Sequence, residues 1–384
     1  MSRLKCFVFV ALCLFVFAPA SGQGADLSPY LDSETIAVVR INLKQVNLPE
    51  IIKYYETAIL KAFDEVIPKN DPETPQMKQS LQMIMGMAPM MAIPQHEELI
   101  VKNKVEEIHV IVYRDALMKQ IFPVLLAVPV PEGASQEQID AIRMQYLNLQ
   151  IPVTFVRHGF IVGIPVSEPF ASQQKVMAFA REKFQEPSSQ SRPEIVTALN
   201  SQSEALLQVV VGKIDQFQKD VEKQINMFKP MLMMTMSKEQ KADLDQALKL
   251  LPVIFQSLNS YCFTYDYAKS EIRQVIQLKD EQTAKMFQAM NLEQMKKSEE
   301  ELDKIPIVKT VFETSAVNPQ NRGITPESKA AIKAFLKVIQ MKQQGNDVVT
   351  LIDSSGMAKL ETVIYEFGIK SMLAGFYTGY KSVN

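Results

Sequence analysis

The clearest hydrophobic pattern in the chain is a strict alternation at residues 260–268. One side carries Tyr261, Phe263, Tyr265 and Tyr267, and the other carries Ser260, Cys262, Thr264 and Asp266. A period of two predicts a strand with one buried face. Residues 269–270 predict a turn, residues 271–279 a returning strand, and Asp280 the N-cap of a helix that runs to about residue 290.

The same order of elements is predicted twice along the chain. The first half predicts a strand at 35–43, helices at 49–67 and 76–91, strands at 105–113 and 121–131, a helix at 135–149, a hairpin at 152–156 and 160–164, and a helix at 168–185. The second half predicts a strand at 204–211, helices at 214–227 and 238–258, and then the 260–290 unit. This order indicates an internal duplication, and two unrelated α+β domains of similar composition are the alternative.

The remaining segments complete the predicted organisation. Residues 186–192 are rich in Pro and Ser and predict a linker. After residue 292 the pattern predicts a strand at 306–314, a helix at 325–344 that ends at Gly345 and Asn346, a strand at 348–352 and a helix at 357–373. We therefore divide the chain into a signal peptide (1–25), a first half (26–186), a second half (187–303) and a C-terminal extension that packs on the second half (304–384). The expected fold class is α+β, with two related halves, each a mostly antiparallel sheet with helices packed on one face.

The N-terminus has the pattern of an export signal. Arg3 and Lys5 precede an apolar run at residues 6–18, and cleavage is expected after Ala20 or Ala25. The run is shorter than the roughly 20 residues that a membrane span needs, although an uncleaved anchor is the alternative. The mature protein is thus expected to be periplasmic or extracellular, with no membrane span after cleavage.

Composition and charge narrow the function classes. The hydrophobic share of 47% indicates a folded chain with a sizeable core. The formal net charge is −2, and a signal that carries only basic residues leaves a more acidic mature chain, so no nucleic-acid partner is expected. Cys262 alone remains after removal of the signal, which excludes an internal disulfide. We expect this thiol to be a small core residue, and a reactive thiol is the alternative.

Two methionine clusters are the most unusual feature of the sequence. They are Met77, Met83, Met85, Met87, Met90 and Met91 in the first half, and Met227, Met231, Met233, Met234 and Met236 in the second. Methionine fills irregular cores and forms adaptable binding surfaces, so both core packing and a hydrophobic groove are open. Thioethers also bind Cu(I), and the candidate ligands by spacing are Met83, Met85, Met87, Met231, Met234 and Met236.

Motifs for catalysis are absent from the mature sequence. It contains no nucleophile elbow, phosphate-binding loop or dinucleotide fingerprint. His96, His109 and His158 are isolated, so a zinc site would have to assemble across the fold. The acidic pairs Glu106–Glu107 and Asp243–Asp245 are typical of solvated surfaces. We predict no catalytic residue and no cofactor.

The C-terminus is rich in aromatic and apolar residues, namely Val363, Ile364, Phe367, Phe376, Tyr377 and Tyr380. It is expected to dock on the core, and a contact with a partner or a membrane surface is the alternative.

Residues 27–40, with the sequence Leu-Ser-Pro-Tyr-Leu-Asp-Ser-Glu-Thr-Ile-Ala-Val-Val-Arg, resemble the mature start of uncharacterised exported proteins of planctomycete bacteria. Residues 260–290 are similar to the hairpin-helix units of those proteins. The resemblance implies a secreted or periplasmic setting and carries no catalytic residues. We expect a non-enzymatic binding or structural protein of the cell envelope with a protein partner. The alternatives are a methionine-rich periplasmic Cu(I)-binding protein and an enzyme without a recognisable motif.

Overall fold

The protein folds around one antiparallel sheet. The computed structural model describes residues 27, 30–119, 124–148, 151, 153–165, 172–184, 192–201, 204–215, 218–219, 252–253, 255–300, 302 and 326–383. Its strands are β1 (Thr35–Asn42), β2 (Glu107–Tyr113), β3 (Val124–Pro129), β4 (Val153–Arg157), β5 (Phe160–Ile164), β6 (Leu207–Val211), β7 (Leu258–Asp266), β8 (Glu271–Leu278), β9 (Gln340–Gln344) and β10 (Asp347–Ile352). Within these residues the sheet has ten strands in the order β4-β5-β3-β2-β1-β6-β7-β8-β10-β9.

The two predicted halves meet at the centre of this sheet. Val38 of β1 lies opposite Ile111 of β2 on one side and opposite Val210 of β6 on the other, and both pairings are antiparallel. Outward from the β1–β6 junction, the strand order is β1-β2-β3-β5-β4 in one direction and β6-β7-β8-β10-β9 in the other. The predicted α+β class is confirmed. The halves share one continuous sheet, however, instead of forming one sheet each.

Ten α-helices lie among the described residues, and several of them begin at a capping side chain. They are α1 (Leu48–Val66), α2 (Thr74–Glu97), α3 (Arg114–Met118), α4 (Gln136–Asn148), α5 (Gln173–Phe184), α6 (Pro193–Asn200), α7 (Glu281–Glu300), α8 (Pro326–Leu336), α9 (Ser354–Val363) and α10 (Lys370–Val383). Asp280 Oδ1 accepts a hydrogen bond from Thr283 N at 2.7 Å, which confirms the predicted cap of α7. A π-helical turn extends α2 through Glu98–Lys102, and another joins α9 to α10 through Ile364–Ile369.

Helices cover both faces of the sheet. The front face, which includes Val38 and Val210, packs under α5 and α6, and the back face, which includes Ile41 and Ile161, packs against α4. On the back face of the second half, α7 packs on Leu278 and Val348. The prediction of helices on one face is wrong because central strands such as β3 are apolar on both sides, so each face needs a cover.

A separate helical layer forms a third core. Phe63 of α1, Met77 of α2 and Leu373 of α10 pack together in it. The hydroxyl of Tyr377 donates to Asp71 Oδ2 at 2.5 Å, so the aromatic C-terminus docks on folded helices. Within residues 304–384, β9 and β10 extend the sheet from β8. In contrast, α10 packs on α1 of the first half.

Two predicted segments differ in the structure. The loop expected at 94–104 is helical through residue 102, since α2 continues through Pro89 and Pro94 and the following turn buries Leu99 and packs Ile100 against the back-face core. The helix expected at 325–344 ends at Leu336, and the residues that follow form β9. Gly345, with φ of +60°, makes the turn of the β9–β10 hairpin instead of ending a helix. The predicted signal peptide, the linker residues 186–191 and the strand at 306–314 lie outside the described residues.

Candidate functional site

The first methionine cluster exposes one side of α2. Met83, Met87 and Met90 have exposed fractions of 64%, 52% and 76%, and Ile84 beside them is also exposed. At about 100° of rotation per residue, the three methionines fall within roughly 60° of arc and form one stripe along the helix. We call the exposed side chains of Met83, Ile84, Met87 and Met90 the methionine surface.

The opposite side of α2 fixes the helix in place. Met77 is buried against Phe63 of α1, and Leu81 packs at the edge of the same core. Apolar residues therefore occur all round α2, a composition that is typical of a helix with partners on every side. Its inner side has such a partner in the helical layer, and the methionine surface faces outward.

This part of α2 carries no formal charge. Between Lys78 and Glu97 no residue is Asp, Glu, Lys or Arg. His96 lies in this stretch, and burial lowers the pKa of its imidazole, so the side chain is neutral at pH 7. The surface is thus apolar and polarizable, without the basic residues that a headgroup layer of anionic lipid attracts.

The structure distributes the predicted Cu(I) ligands unevenly. Met83 and Met87 share the stripe, but Met85 lies two residues away on a helix and therefore points to another side, where it is partly buried. Met231, Met234 and Met236 lie outside the described residues. The Cu(I) hypothesis stays a prediction, which competition with a weak chelator would test.

The three histidines lie in different environments. His96 is in α2, and His158 with φ of +49° is in the β4–β5 turn. His109 is buried on β2, with Nε2 at 3.3 Å from Glu107 Oε2. Burial raises the pKa of Glu107, but the hydrogen bond from His109 and nearby cations outweigh it, so the net pKa is lowered. In the described part, no three His, Cys, Asp or Glu side chains come together as a metal site.

Two buried polar side chains, Arg40 and Gln208, lie on the front face under α6, and the sequence analysis did not predict them. Gln208 of β6 is fully buried and donates to Ala198 O at 2.8 Å, and Arg40 of β1 donates to Leu199 O at 3.3 Å. Both side chains therefore satisfy carbonyl groups at the C-terminal end of α6. Two polar residues inside runs of β-branched residues were the available signal. The arrangement holds a helix end on the sheet and offers no reacting group.

Cys262 belongs to this buried region. Burial raises the pKa of its thiol, and Gln208 Nε2 donates to its Sγ at 3.6 Å. A buried thiol with a raised pKa is a poor nucleophile. The geometry favours the expected core residue over the reactive thiol.

A charged cluster joins α5 to the N-terminal segment. Lys183 Nζ lies 2.6 Å from Asp32 Oδ2 and 2.9 Å from Asp115 Oδ2. Its ammonium is 5.3 Å from the centre of the Tyr113 ring. The three charged residues are far apart in sequence, so no motif connects them. This cluster holds α5 against the N-terminal segment of the first half.

The aromatic side of β7 remains partly open. The buried side of this strand carries Ser260, Cys262, Thr264 and Asp266, whereas the aromatic residues on the back face are only partly buried. Tyr55 of α1, which is 44% exposed, lies near Tyr265, and its ring packs against that of Tyr54.

Comparisons with known proteins identify no family. A search of family models and a search of curated proteins each found no match. Among solved structures, TP0453 in crystal form I has a TM-score of 0.32 at 8% identity, and crystal form III has a TM-score of 0.30 at 10% identity. Each of the two alignments covers 89% of this chain and 99% of the TP0453 chain. Scores this low support no conclusion about shared activity. None of the described helices is long and apolar enough to cross a membrane.

Proposed function

We propose that the chain is an exported, non-enzymatic binding protein that holds an apolar segment of a partner polypeptide on the methionine surface. The observation that carries this proposal is the exposure of Met83, Met87 and Met90 along one stripe of α2. Exposed apolar side chains that form a continuous stripe mark interaction sites in soluble proteins.

The chemistry of the surface favours a helical partner. Thioether side chains are flexible and polarizable, and they adapt to apolar side chains of different shapes. An amphipathic helix that presents residues at i, i+3, i+4 and i+7 matches a stripe with the same spacing on α2. Because the stretch between Lys78 and Glu97 is uncharged, binding would depend on apolar contact and only weakly on salt.

Two further statements belong to this proposal. Export is supported by the basic, apolar and small-residue pattern at the N-terminus, and it places the partner in the cell envelope. Internal duplication is supported by the identical outward order of strands on both sides of the β1–β6 junction. The two methionine clusters also fall between the first and second strand of each half.

The test uses the mature chain and a defined probe. The probe is a fluorescent amphipathic peptide made of leucine and lysine, with a leucine and glutamate peptide of the same pattern beside it. In M83Q/M87Q/M90Q, glutamine retains the length and helix propensity of methionine. Loss of three apolar contacts should weaken binding of both peptides about tenfold or more, as measured by fluorescence anisotropy.

The matched control is M286Q/M290Q on α7, where both methionines are also exposed. This control should bind both peptides as the unsubstituted chain does. Equal affinity of the α2 variant and the unsubstituted chain would contradict the proposal. Binding of the lysine peptide alone, abolished by salt, would show attraction to the acidic chain as a whole and would also contradict it. A cross-linking pull-down from the native envelope with the same variants would then identify the partner.

A further inference from the structure

The outer strands of the second half form a groove on the front face of the sheet. The groove runs along β10 and has a volume of about 140 Å³. Its lining residues are Arg273 of β8, Gln340, Lys342 and Gln344 of β9, and Val349 and Leu351 of β10. The groove is separate from the methionine surface, which lies on α2.

The pairing of the strands places these residues side by side. Leu351 lies opposite Arg273 on one side and opposite Gln340 on the other. Val349, in the next row of the same face, lies opposite Lys342. Opposite residues on one face of a sheet are about 5 Å apart. The long side chains of β8 and β9 therefore form two walls, and the shorter apolar side chains of β10 form the floor between them.

The neighbouring helices pack on the other side of β10. α7 packs on Val348, and Gly356 of α9 lies against Ile352. Because side chains alternate along a strand, these contacts lie on the back face. In the first half, β5 has the same place in the strand order as β10, and α5, the helix that follows it, covers its front side. The helix that follows β10 instead packs on the back, so the floor of the groove is partly exposed.

The groove offers positive charge and hydrogen-bond donors. Two of its lining residues are cations and two are amides, and no acidic residue of the described part lines it. Among the described residues, Arg273 and Lys342 form no salt bridge, whereas Lys269 of the same β7–β8 hairpin as Arg273 pairs with Asp266. Within the same residues, Arg273 Nε is buried and makes no hydrogen bond.

The acidic residues near the groove lie at its ends. Asp347 is on the front side of β10 but lies opposite Gln344, next to the turn of the β9–β10 hairpin. At the other end, Asp353 accepts a hydrogen bond from Gln340 and caps α9 through Gly356 N. The middle of the groove, between the two cations, is left to apolar side chains and donors.

We propose that this groove binds a small carboxylic acid with an apolar body, such as an aromatic acid. A guanidinium group binds a carboxylate through two parallel hydrogen bonds, and Arg273 can supply them while Lys342 adds charge from the opposite wall. Val349 and Leu351 can cover the apolar body. The volume is close to that of protein cavities that accept benzene. A cationic ligand would be repelled, and a neutral one would leave both cations uncompensated.

The first experiment is a titration of the mature chain with benzoate, followed by saturation-transfer NMR of the ligand. Benzoate should bind saturably with a Kd of about 1 mM. Benzamide has the same shape without the charge, and acetate has the charge without the apolar body, so each should bind at least fivefold more weakly. Equal binding of benzoate and benzamide, or of benzoate and acetate, would overturn the proposal, as would the absence of saturable benzoate binding.

Variants locate the bound acid in the groove. Arg273→Gln should weaken benzoate binding at least fivefold, and thermal unfolding verifies that this variant is folded. Lys342→Gln changes an exposed side chain and should weaken binding about threefold, whereas the matched control Lys359→Gln, on the exposed surface of α9, should leave it unchanged. Unchanged binding in both groove variants would refute this site. M83Q/M87Q/M90Q should bind benzoate as the unsubstituted chain does, so the outcome is independent of the methionine surface.

Discussion

Substitution of Lys183 by methionine should destabilise the protein far more than removal of an ordinary surface ion pair. The ammonium contacts Asp32 and Asp115 at 2.6 and 2.9 Å, and only 10% of its side chain is exposed. Methionine keeps most of the apolar stem, so the change removes mainly the charge and its hydrogen bonds. Two partly buried carboxylates would then face each other, with only the more exposed Lys119, 3.8 Å from Asp115 Oδ2, left beside one of them.

The size of the effect follows from the burial of the three charges. Removal of one partner from a buried ion pair costs about 3–5 kcal/mol. The two carboxylates here are about one-fifth exposed, which allows some hydration in the variant, so we expect a loss near the lower limit, about 3 kcal/mol. Urea unfolding measures it, by far-ultraviolet circular dichroism and by tyrosine emission, because the chain has no tryptophan.

The control and the pH dependence make this prediction specific. Lys285→Met removes an equally short contact of 2.6 Å to Glu281, but that pair is exposed and should contribute less than about 0.5 kcal/mol. Although burial opposes charge on Lys183, its hydrogen bonds to Asp32 and Asp115 prevail and raise its pKa above 10.5. Its contribution should therefore be full at all pH values below the unfolded-state pKa and decline only as pH rises through the higher folded-state value.

Equal losses for Lys183→Met and Lys285→Met would refute the reasoning. A second requirement concerns the carboxylates. In D32N/K183M one of the two facing charges is neutral, so this double variant should recover about 1 kcal/mol relative to Lys183→Met. If the double variant is less stable than the single one, repulsion between Asp32 and Asp115 is not the cause of the loss.

Two other predictions concern Cys262 and the start of α4. The Cys262 thiol is buried and its pKa is raised, so it should not react with an aromatic disulfide reagent at pH 8 until urea unfolds the chain. Labelling of the urea-unfolded protein is the positive control. Stoichiometric labelling of the native protein would contradict this prediction. Ser135 and Gln138 bond each other's backbone N–H groups at 3.2 and 2.9 Å, so Ser135→Ala should cost about 1 kcal/mol in urea unfolding, whereas Ser135→Asp should cost little.

Most strands were predictable because their signals are local. The predicted strands at 35–43 and 105–113 agree with β1 and β2 to within two residues. The hairpin turn at His158 and Gly159 is confirmed by positive φ angles at both residues. Alternation, β-branched residues and turn residues act over a few positions, so each of these elements is specified by its own sequence.

The two wrong boundaries have tertiary causes. Proline normally ends a helix, but α2 continues through Pro89 and Pro94, and just beyond them Leu99 is buried and Ile100 packs against the back-face core. Residues 340–344 have no apolar alternation, and their extended form comes from pairing with β10 at the edge of the sheet. Neither contact can be predicted from the hydrophobic pattern of a short stretch of sequence.

The candidate sites were predictable to different degrees. The methionine cluster of α2 stood out in the sequence, and the structure adds that one stripe of it is exposed. In contrast, Lys183, Asp32 and Asp115 are in contact in the structure but are separated by long stretches of chain. No spacing rule connects such residues, because their proximity is created only when the sheet and helices assemble.

The strand β7 shows that alternation distinguishes the two sides of a strand but does not predict which side is buried. By hydrophobicity alone, the side with Tyr261, Phe263 and Tyr265 should be buried, yet the side with Cys262 is the buried one. The front side of β7 is buried because α6 packs on it, and Gln208 bonds both to the end of α6 and to Cys262. Small residues let the helix approach closely, which large aromatic residues would prevent. The aromatic side is then left on the back face, where the side chains are partly buried and a tyrosine hydroxyl can reach water while its ring contacts apolar neighbours.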